Sequence, residues 1–120
     1  MKTILILEDE PLIAMDLQFA FEDSGVQAVV VVSCSEAFTA LDRHAVDGAV
    51  LDVNLGQGET CEPVAQELRK RDVPFVLHTG DLDRAGEALR DLAAPILAKP
   101  MDAEDVVERI LGLRRSCEPA

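Results

Sequence analysis

Five short apolar runs punctuate this chain, and the stretches between them carry the apolar spacing of helices. The runs cover about Thr3 to Leu7, Val26 to Val32, Gly48 to Asp52, Val73 to His78 and Ala94 to Ala98. Runs this short and this uniformly apolar suit strands buried on both faces, with the amphipathic stretches laid over them as helices. Pro11 to Ser24 is predicted helical, because proline favours a first turn and Gly25 supplies a stop. Leu12, Met15 and Phe19 read as its apolar stripe, giving way to Glu22 and Asp23. Ser33 to Ser35 offer N-caps for a helix through about Arg43, with Ala37, Phe38 and Leu41 inward. A third helix spans about Cys61 to Arg71, with Val64, Ala65 and Leu68 inward, and a short one covers Arg84 to Leu92. Asp102 caps a last helix through about Leu113, whose Val106, Val107, Ile110 and Leu111 are apolar. Five such units predict an α/β fold: a doubly wound five-stranded parallel sheet with helices on both faces and right-handed crossovers.

The residues that close four of these runs carry the chemistry. Ile4-Leu5-Ile6-Leu7 ends in Glu8-Asp9, and Gly48-Ala49-Val50-Leu51 ends in Asp52. Phe75-Val76-Leu77-His78 ends in Thr79-Gly80, and Pro95-Ile96-Leu97-Ala98 ends in Lys99-Pro100. In doubly wound sheets ligands bind beyond the carboxyl ends of the strands, so these groups fall where a site belongs. Clustered oxygens suit a hard cation, and Mg²⁺ uses one or two carboxylates while keeping several waters. Asp9 and Asp52 are the best direct ligands, Glu8 coordinates directly or through water, and Asn54 offers its backbone carbonyl. With Mg²⁺ present, the Asp52 carboxylate can attack phosphorus. Lys99 then balances charge on the phosphoryl oxygens, and Thr79 donates its hydroxyl to one of them. Gly56, Gly58 and Gly80 leave room for backbone to approach.

Each piece has a plainer reading. An acidic pair after a strand is commonly a solvated turn, a single Asp a helix cap, Thr-Gly a turn and a solitary lysine a surface residue. Their joint occurrence at strand ends, in this order, outweighs those readings. His44 falls at a helix end, where solvation is the default. His78 precedes Thr79 and is read as a candidate for lining the site and biasing it with pH. Cys61, behind the Asn54–Thr60 loop, reads as an inert structural thiol.

The chain has 120 residues, 48% of them hydrophobic, enough for one domain with a core over about 2–113 and a short tail at 114–120. A formal charge of −12 argues against direct nucleic-acid binding, Arg114-Arg115 being a solvated helix end. Cys34, Cys61 and Cys117 are odd in number and widely spaced, which argues against a disulfide framework or zinc site and for a reducing cytoplasm. The longest apolar stretch, Ala28 to Val32, is too short for a bilayer, and no leader is read at the start. A soluble cytoplasmic protein is expected.

These residues resemble the receiver domain of bacterial two-component response regulators. The matching pieces are Ile4-Leu5-Ile6-Leu7-Glu8-Asp9-Glu10, Val50-Leu51-Asp52-Val53-Asn54-Leu55, Thr79-Gly80 and Ala98-Lys99-Pro100, and the likeness runs from Lys2 to Leu113. The Pro74-Phe75 to Thr79-Gly80 segment is similar to a subgroup of short receivers from alphaproteobacteria, from which His78 and Asp81 depart. The resemblance implies a flavodoxin-like (βα)5 fold with strand order 2-1-3-4-5. It implies that Asp52 accepts a phosphoryl group from the phosphohistidine of a sensor histidine kinase or histidine phosphotransfer protein, with Glu8 and Asp9 holding Mg²⁺. It further implies that Thr79 and Lys99 contact the acyl phosphate, that the Lys99-Pro100 bond is cis, and that the phosphate is slowly lost by autodephosphorylation past Asn54 and Asp81.

A protein-binding surface around the 84–92 helix, the 94–98 strand and the last helix would then switch for a downstream protein partner. Self-association on phosphorylation stays open. Many receivers carry Tyr or Phe three residues before the lysine, where this chain has Ile96, so the usual aromatic swing cannot operate. Three alternatives compete with this reading. A Mg²⁺-dependent aspartyl phosphatase would place a second acid where Asn54 stands. A phosphate shuttle or sink would lack its own output. A never-phosphorylated interaction domain would not need the full set of groups. The sequence leaves open whether the chain is complete or a fragment of a larger regulator.

Overall fold

The computed structural model describes residues 2–53, 55, 60–79, 94–99 and 102–117. Its elements run β1 (Thr3–Leu7), α1 (Pro11–Asp23), β2 (Gln27–Val31), α2 (Cys34–Arg43), β3 (Gly48–Asp52), α3 (Glu62–Lys70), β4 (Phe75–Thr79), β5 (Ile96–Ala98) and α4 (Ala103–Cys117). The five strands form one parallel sheet in the order β2-β1-β3-β4-β5. This is the doubly wound α/β fold expected. Asn54, Gly56, Gly58, Gly80, Asp81, the expected helix at Arg84 to Leu92 and Pro100 lie outside the described residues.

Successive strand side chains alternate between faces, so each strand feeds two cores. Leu5, Leu7, Ala49, Leu51, Phe75 and Leu77 pack with Ala37 and Leu41 of α2 and Val64, Ala65 and Leu68 of α3. Ile4, Ile6, Val50, Val76 and Leu97 pack with Leu17 and Phe21 of α1 and Val106, Val107 and Ile110 of α4. Burial on both faces is why these strands read as unbroken apolar runs.

The inward face of α1 is not the stripe expected from its sequence. Leu12 and Phe19 are 73% and 57% exposed and Met15 is 42% exposed, whereas Ala14, Leu17, Ala20 and Phe21 are buried. Phe38 of α2 likewise faces outward, while Ala37 and Leu41 are buried as expected. Two apolar rows run along α1, and the row that meets Ile4 and Ile6 is the one carrying Leu17 and Phe21.

Helix ends follow local chemistry. Ser33 caps α2 by accepting the Glu36 amide at 3.2 Å. At the end of α1 the Val26 amide donates to the Phe21 carbonyl and the Gly25 amide to Glu22, both at 3.0 Å. Gly25 takes the left-handed φ of 81° that this closure requires. The end of α3 repeats the motif: Val73 donates to Leu68 at 2.9 Å and Asp72 to Arg69 at 3.1 Å. Here Asp72 holds the left-handed position, with φ 57°. Asp72→Gly is expected to raise stability by roughly 0.5 kcal/mol, because relief of the left-handed cost exceeds the added chain entropy of glycine. A urea midpoint at or below that of the wild type would contradict it.

Candidate functional site

In the order β2-β1-β3-β4-β5 the winding reverses between β1 and β3, and the crevice beyond their carboxyl ends is where this fold binds ligands. Leu7 is the register partner of Leu51, so Glu8 and Asp52 leave adjacent strands side by side. The Glu8 amide donates to the Val31 carbonyl at 3.0 Å, which fixes the end of β1 against β2. The Glu8 carboxylate then accepts from the Glu10 amide at 3.2 Å as the chain turns into α1.

On the other side, Asp52 is the register partner of His78, and Thr79 of Ala98. The Lys99 amide donates to the Thr79 carbonyl at 2.7 Å, extending the ladder by one bond and holding the base of the Lys99 side chain. The ammonium reaches back over the strand ends, with Nζ 3.1 Å from Glu8 Oε2 and 3.3 Å from Asp52 Oδ1. Glu8, Asp9 and Asp52 each offer a carboxylate oxygen, and these oxygens all lie within 4.8 Å of one another. Glu8, Asp52 and Thr79 are buried, and Asp9 is exposed at the mouth. The fold therefore gathers Glu8, Asp9, Asp52 and Lys99 at one point, with Thr79 at the neighbouring strand end.

Electrostatics follow from this crowding. Burial first, and then the Glu8 charge, push the Asp52 carboxyl far above the usual carboxylate range, and Lys99 only partly offsets them. Burial opposes the Lys99 charge, but Asp52 and Glu8 outweigh it and hold the ammonium above its ordinary range. Three carboxylates share one ammonium among the described residues, so the cluster is short of positive charge. An all-oxygen, anionic and partly open donor set of this kind fits a hard divalent cation such as Mg²⁺.

Two buried residues lie beside the site. His78 is buried, and neither ring nitrogen has a hydrogen-bond partner among the described residues. Burial, and then the Lys99 charge, push it down to about 4, so it stays neutral through the physiological range and does not bias the site with pH there. It lines a cavity of about 520 Å³ between α1 and α4, together with Lys99, Asp16, Phe19 and Asp102. Cys61 is buried, and its thiol is pushed up to about 12 by burial, the Asp52 charge and the nearby Cys34. At neutral pH the thiol form is therefore favoured over the thiolate. The proximity of Cys34 was not legible in the sequence, because only the packing of α2 beside α3 creates it.

A parallel sheet whose switch point carries an acid cluster, an ammonium and a hydroxyl has the groups to hold a cation and an anionic ligand at one edge. The family model described as the response regulator receiver domain matches residues 4–111, and the chain belongs to that family. It is a receiver domain of two-component response regulators. The solution structure of SdrG from Sphingomonas melonis Fr1 is similar at 40% identity and a TM-score of 0.78, covering 93% of this chain and 94% of that one. A response regulator receiver protein from Sinorhizobium medicae WSM419 is similar at 27% identity and a TM-score of 0.83, covering 98% and 97%. The sensory transduction protein RegX3 of Mycobacterium tuberculosis is 31% identical over 119 residues, which is 96% of this chain and 52% of RegX3. The chain thus spans about half the length of that curated relative. Among the described residues no helix is long and apolar enough to cross a membrane.

Proposed function

We propose that this receiver domain takes a phosphoryl group from a phosphohistidine onto Asp52. The donor is the histidine of a sensor kinase or of a histidine phosphotransfer protein. The observation that carries this reading is the Lys99 ammonium bridging Glu8 and Asp52 at 3.1 and 3.3 Å in the crevice at the switch point. Glu8, Asp9 and Asp52, with the Asn54 backbone carbonyl, are the residues proposed to hold Mg²⁺. Bound there, Mg²⁺ supplies the positive charge that the acid cluster lacks and helps neutralise the transferring oxygens.

The Asp52 oxygen attacks phosphorus as the phosphorus–nitrogen bond to the donor histidine breaks. Burial serves this step, since a carboxylate stripped of most of its water has fewer hydration contacts to lose. The Lys99 side chain, held by its backbone bond to Thr79, can shift its hydrogen bonds from carboxylate to phosphoryl oxygens without moving its base. The Thr79 hydroxyl stands at the next strand end to donate to another of those oxygens. The domain acts as a phosphoacceptor and switch in the cytoplasm, not as a turnover enzyme, and contacts a downstream protein rather than nucleic acid or membrane.

The output surface proposed is the one around β5 and α4 with the 84–92 segment between β4 and β5. Ile96, 38% exposed on β5 and in register with Leu77, occupies the position where an aromatic rotamer would otherwise report the phosphate. Thr79 and β5 are joined by the Lys99–Thr79 backbone bond, so a pull on Thr79 is felt at Ile96 without any aromatic ring. Phosphate must then bind one arrangement better than the other for the surface to switch.

Incubation with a phosphohistidine donor and Mg²⁺ is expected to label the wild type and leave Asp52→Asn unlabelled. Label on the variant, or none on the wild type with several donors, would refute the assignment. Amide NMR shifts across residues 79 to 100 are expected to move in the labelled sample, and spectra superimposable there would refute the switch.

A further inference from the structure

We propose that Cys34 and Cys61 are a redox pair that closes to a disulfide under peroxide, tying the start of α2 to the loop that follows Asp52. Both are thiols in the structure. Cys34 is the first residue of α2, and Cys61 is the residue immediately before α3. The Cys34 thiol donates to the Thr60 carbonyl oxygen at 3.2 Å. That carbonyl belongs to the peptide unit leading into Cys61, so standard bond lengths put Cys34 Sγ within roughly 6 Å of Cys61 Cα. A disulfide needs Cα atoms about 4.4–6.8 Å apart, so closure asks for a rotamer change that turns the Cys34 sulfur toward Cys61 and a small backbone shift at Cys61 that sets the Cα separation. Packing agrees, because Cys34 lies against the core cluster that contains Cys61.

The two thiols have complementary settings. Cys34 is half-buried and open to a small oxidant, whereas Cys61 is fully buried beneath it. The Cys34 sulfur attacks one oxygen of hydrogen peroxide, the oxygen–oxygen bond breaks, and a sulfenic acid and one water result. The Cys61 sulfur then attacks the Cys34 sulfur; the sulfur–sulfur bond forms, the sulfur–oxygen bond breaks, and the departing oxygen leaves as a second water with the Cys61 proton. Two thiols are oxidised and one peroxide is reduced to two waters. Burial and the Asp52 charge disfavour the Cys61 thiolate, so the second step sets the pace.

The bond bears on the phosphoacceptor loop because the Cys61 amide already donates to the Val53 carbonyl at 3.2 Å, closing the loop just beyond Asp52. A link from Cys61 to α2 fixes that closure from the other side.

The test is a peptide map of the full chain, wild type and Cys117→Ser, after hydrogen peroxide and alkylation. The expected result is one peptide joining Cys34 to Cys61 in both proteins, lost with dithiothreitol and absent from Cys34→Ser. Two alkylated cysteines, Cys34 stopped at sulfinic or sulfonic acid, or only links between chains would overturn the proposal. The map reads the bond itself, so it stands or falls independently of phosphoryl transfer to Asp52.

Discussion

Lys99→Ala is expected to slow phosphoryl uptake from a phosphohistidine donor by roughly 10²–10³-fold, the range seen when one fixed charge-stabilising donor is removed from a water-poor site. Binding of the donor protein should change little, because the lysine is only 15% exposed and faces the acid cluster rather than the outer surface. The same substitution should unsettle the fold. Lys99 is the one cation within ion-pair distance of Glu8 and Asp52 among the described residues. Removing one partner of a buried ion pair costs about 3–5 kcal/mol when the remaining charge is fully enclosed. Here Asp9 is exposed at the mouth and water can enter, so a smaller loss of about 2 kcal/mol is expected in metal-free buffer at pH 8. Without the ammonium, Asp52 is held still further above the usual carboxylate range, so the deficit should shrink as pH falls to 6 and a proton replaces the lost cation. Added Mg²⁺ should shrink it as well. Equal urea midpoints for variant and wild type at pH 8 would mean that the 3.1 and 3.3 Å contacts carry no net energy.

Strand ends proved the most legible part of the chain. A strand buried on both faces leaves no ambiguity about where its polar terminus points, so Glu8, Asp52, Thr79 and Lys99 could be assigned to one edge from the runs that precede them. The helices over the sheet were harder in proportion to their apolar content. On α3 the polar positions are charged or, at Gln66, an amide, and Val64, Ala65 and Leu68 were the clear choice for the inner face. On α1, by contrast, Leu12, Met15 and Phe19 form one apolar row and Leu17 and Phe21 belong to another. Spacing alone cannot say which row meets the sheet. Tertiary contact decides it: Phe21 fits between Ile4, Ile6 and α4, and the Leu12–Phe19 row is left outside. Contacts away from the strand ends, between elements distant in sequence, were not legible. Nothing about Cys34 or Cys61 alone signals the other, and the burial of His78 depends on α1 and α4 closing over β4.

Asp52→Asn is expected to abolish labelling and at the same time to make the protein more stable, by about 2 kcal/mol at pH 7.5 in the absence of divalent metal. The sign comes from the proton. The Asp52 carboxyl titrates at an ordinary 3.8 in the unfolded chain and at about 8 in the fold, chiefly through burial and then the Glu8 charge. Between those values the folded state holds a proton that the unfolded state has released, so wild-type stability falls as pH rises from about 4 to about 8 and levels off above. An amide at this position has no proton to lose, and its stability curve should be flatter over the same range. The two proteins should therefore match near pH 4 and diverge steadily toward pH 8. Mg²⁺ acts in the opposite sense: it binds the folded wild type through the ionised carboxylates and stabilises it by mass action, so millimolar Mg²⁺ should narrow the gap. A wild type more stable than Asp52→Asn at pH 8 in the presence of a chelator would show that Lys99 fully compensates the buried charge, and that the acid cluster is not short of a cation.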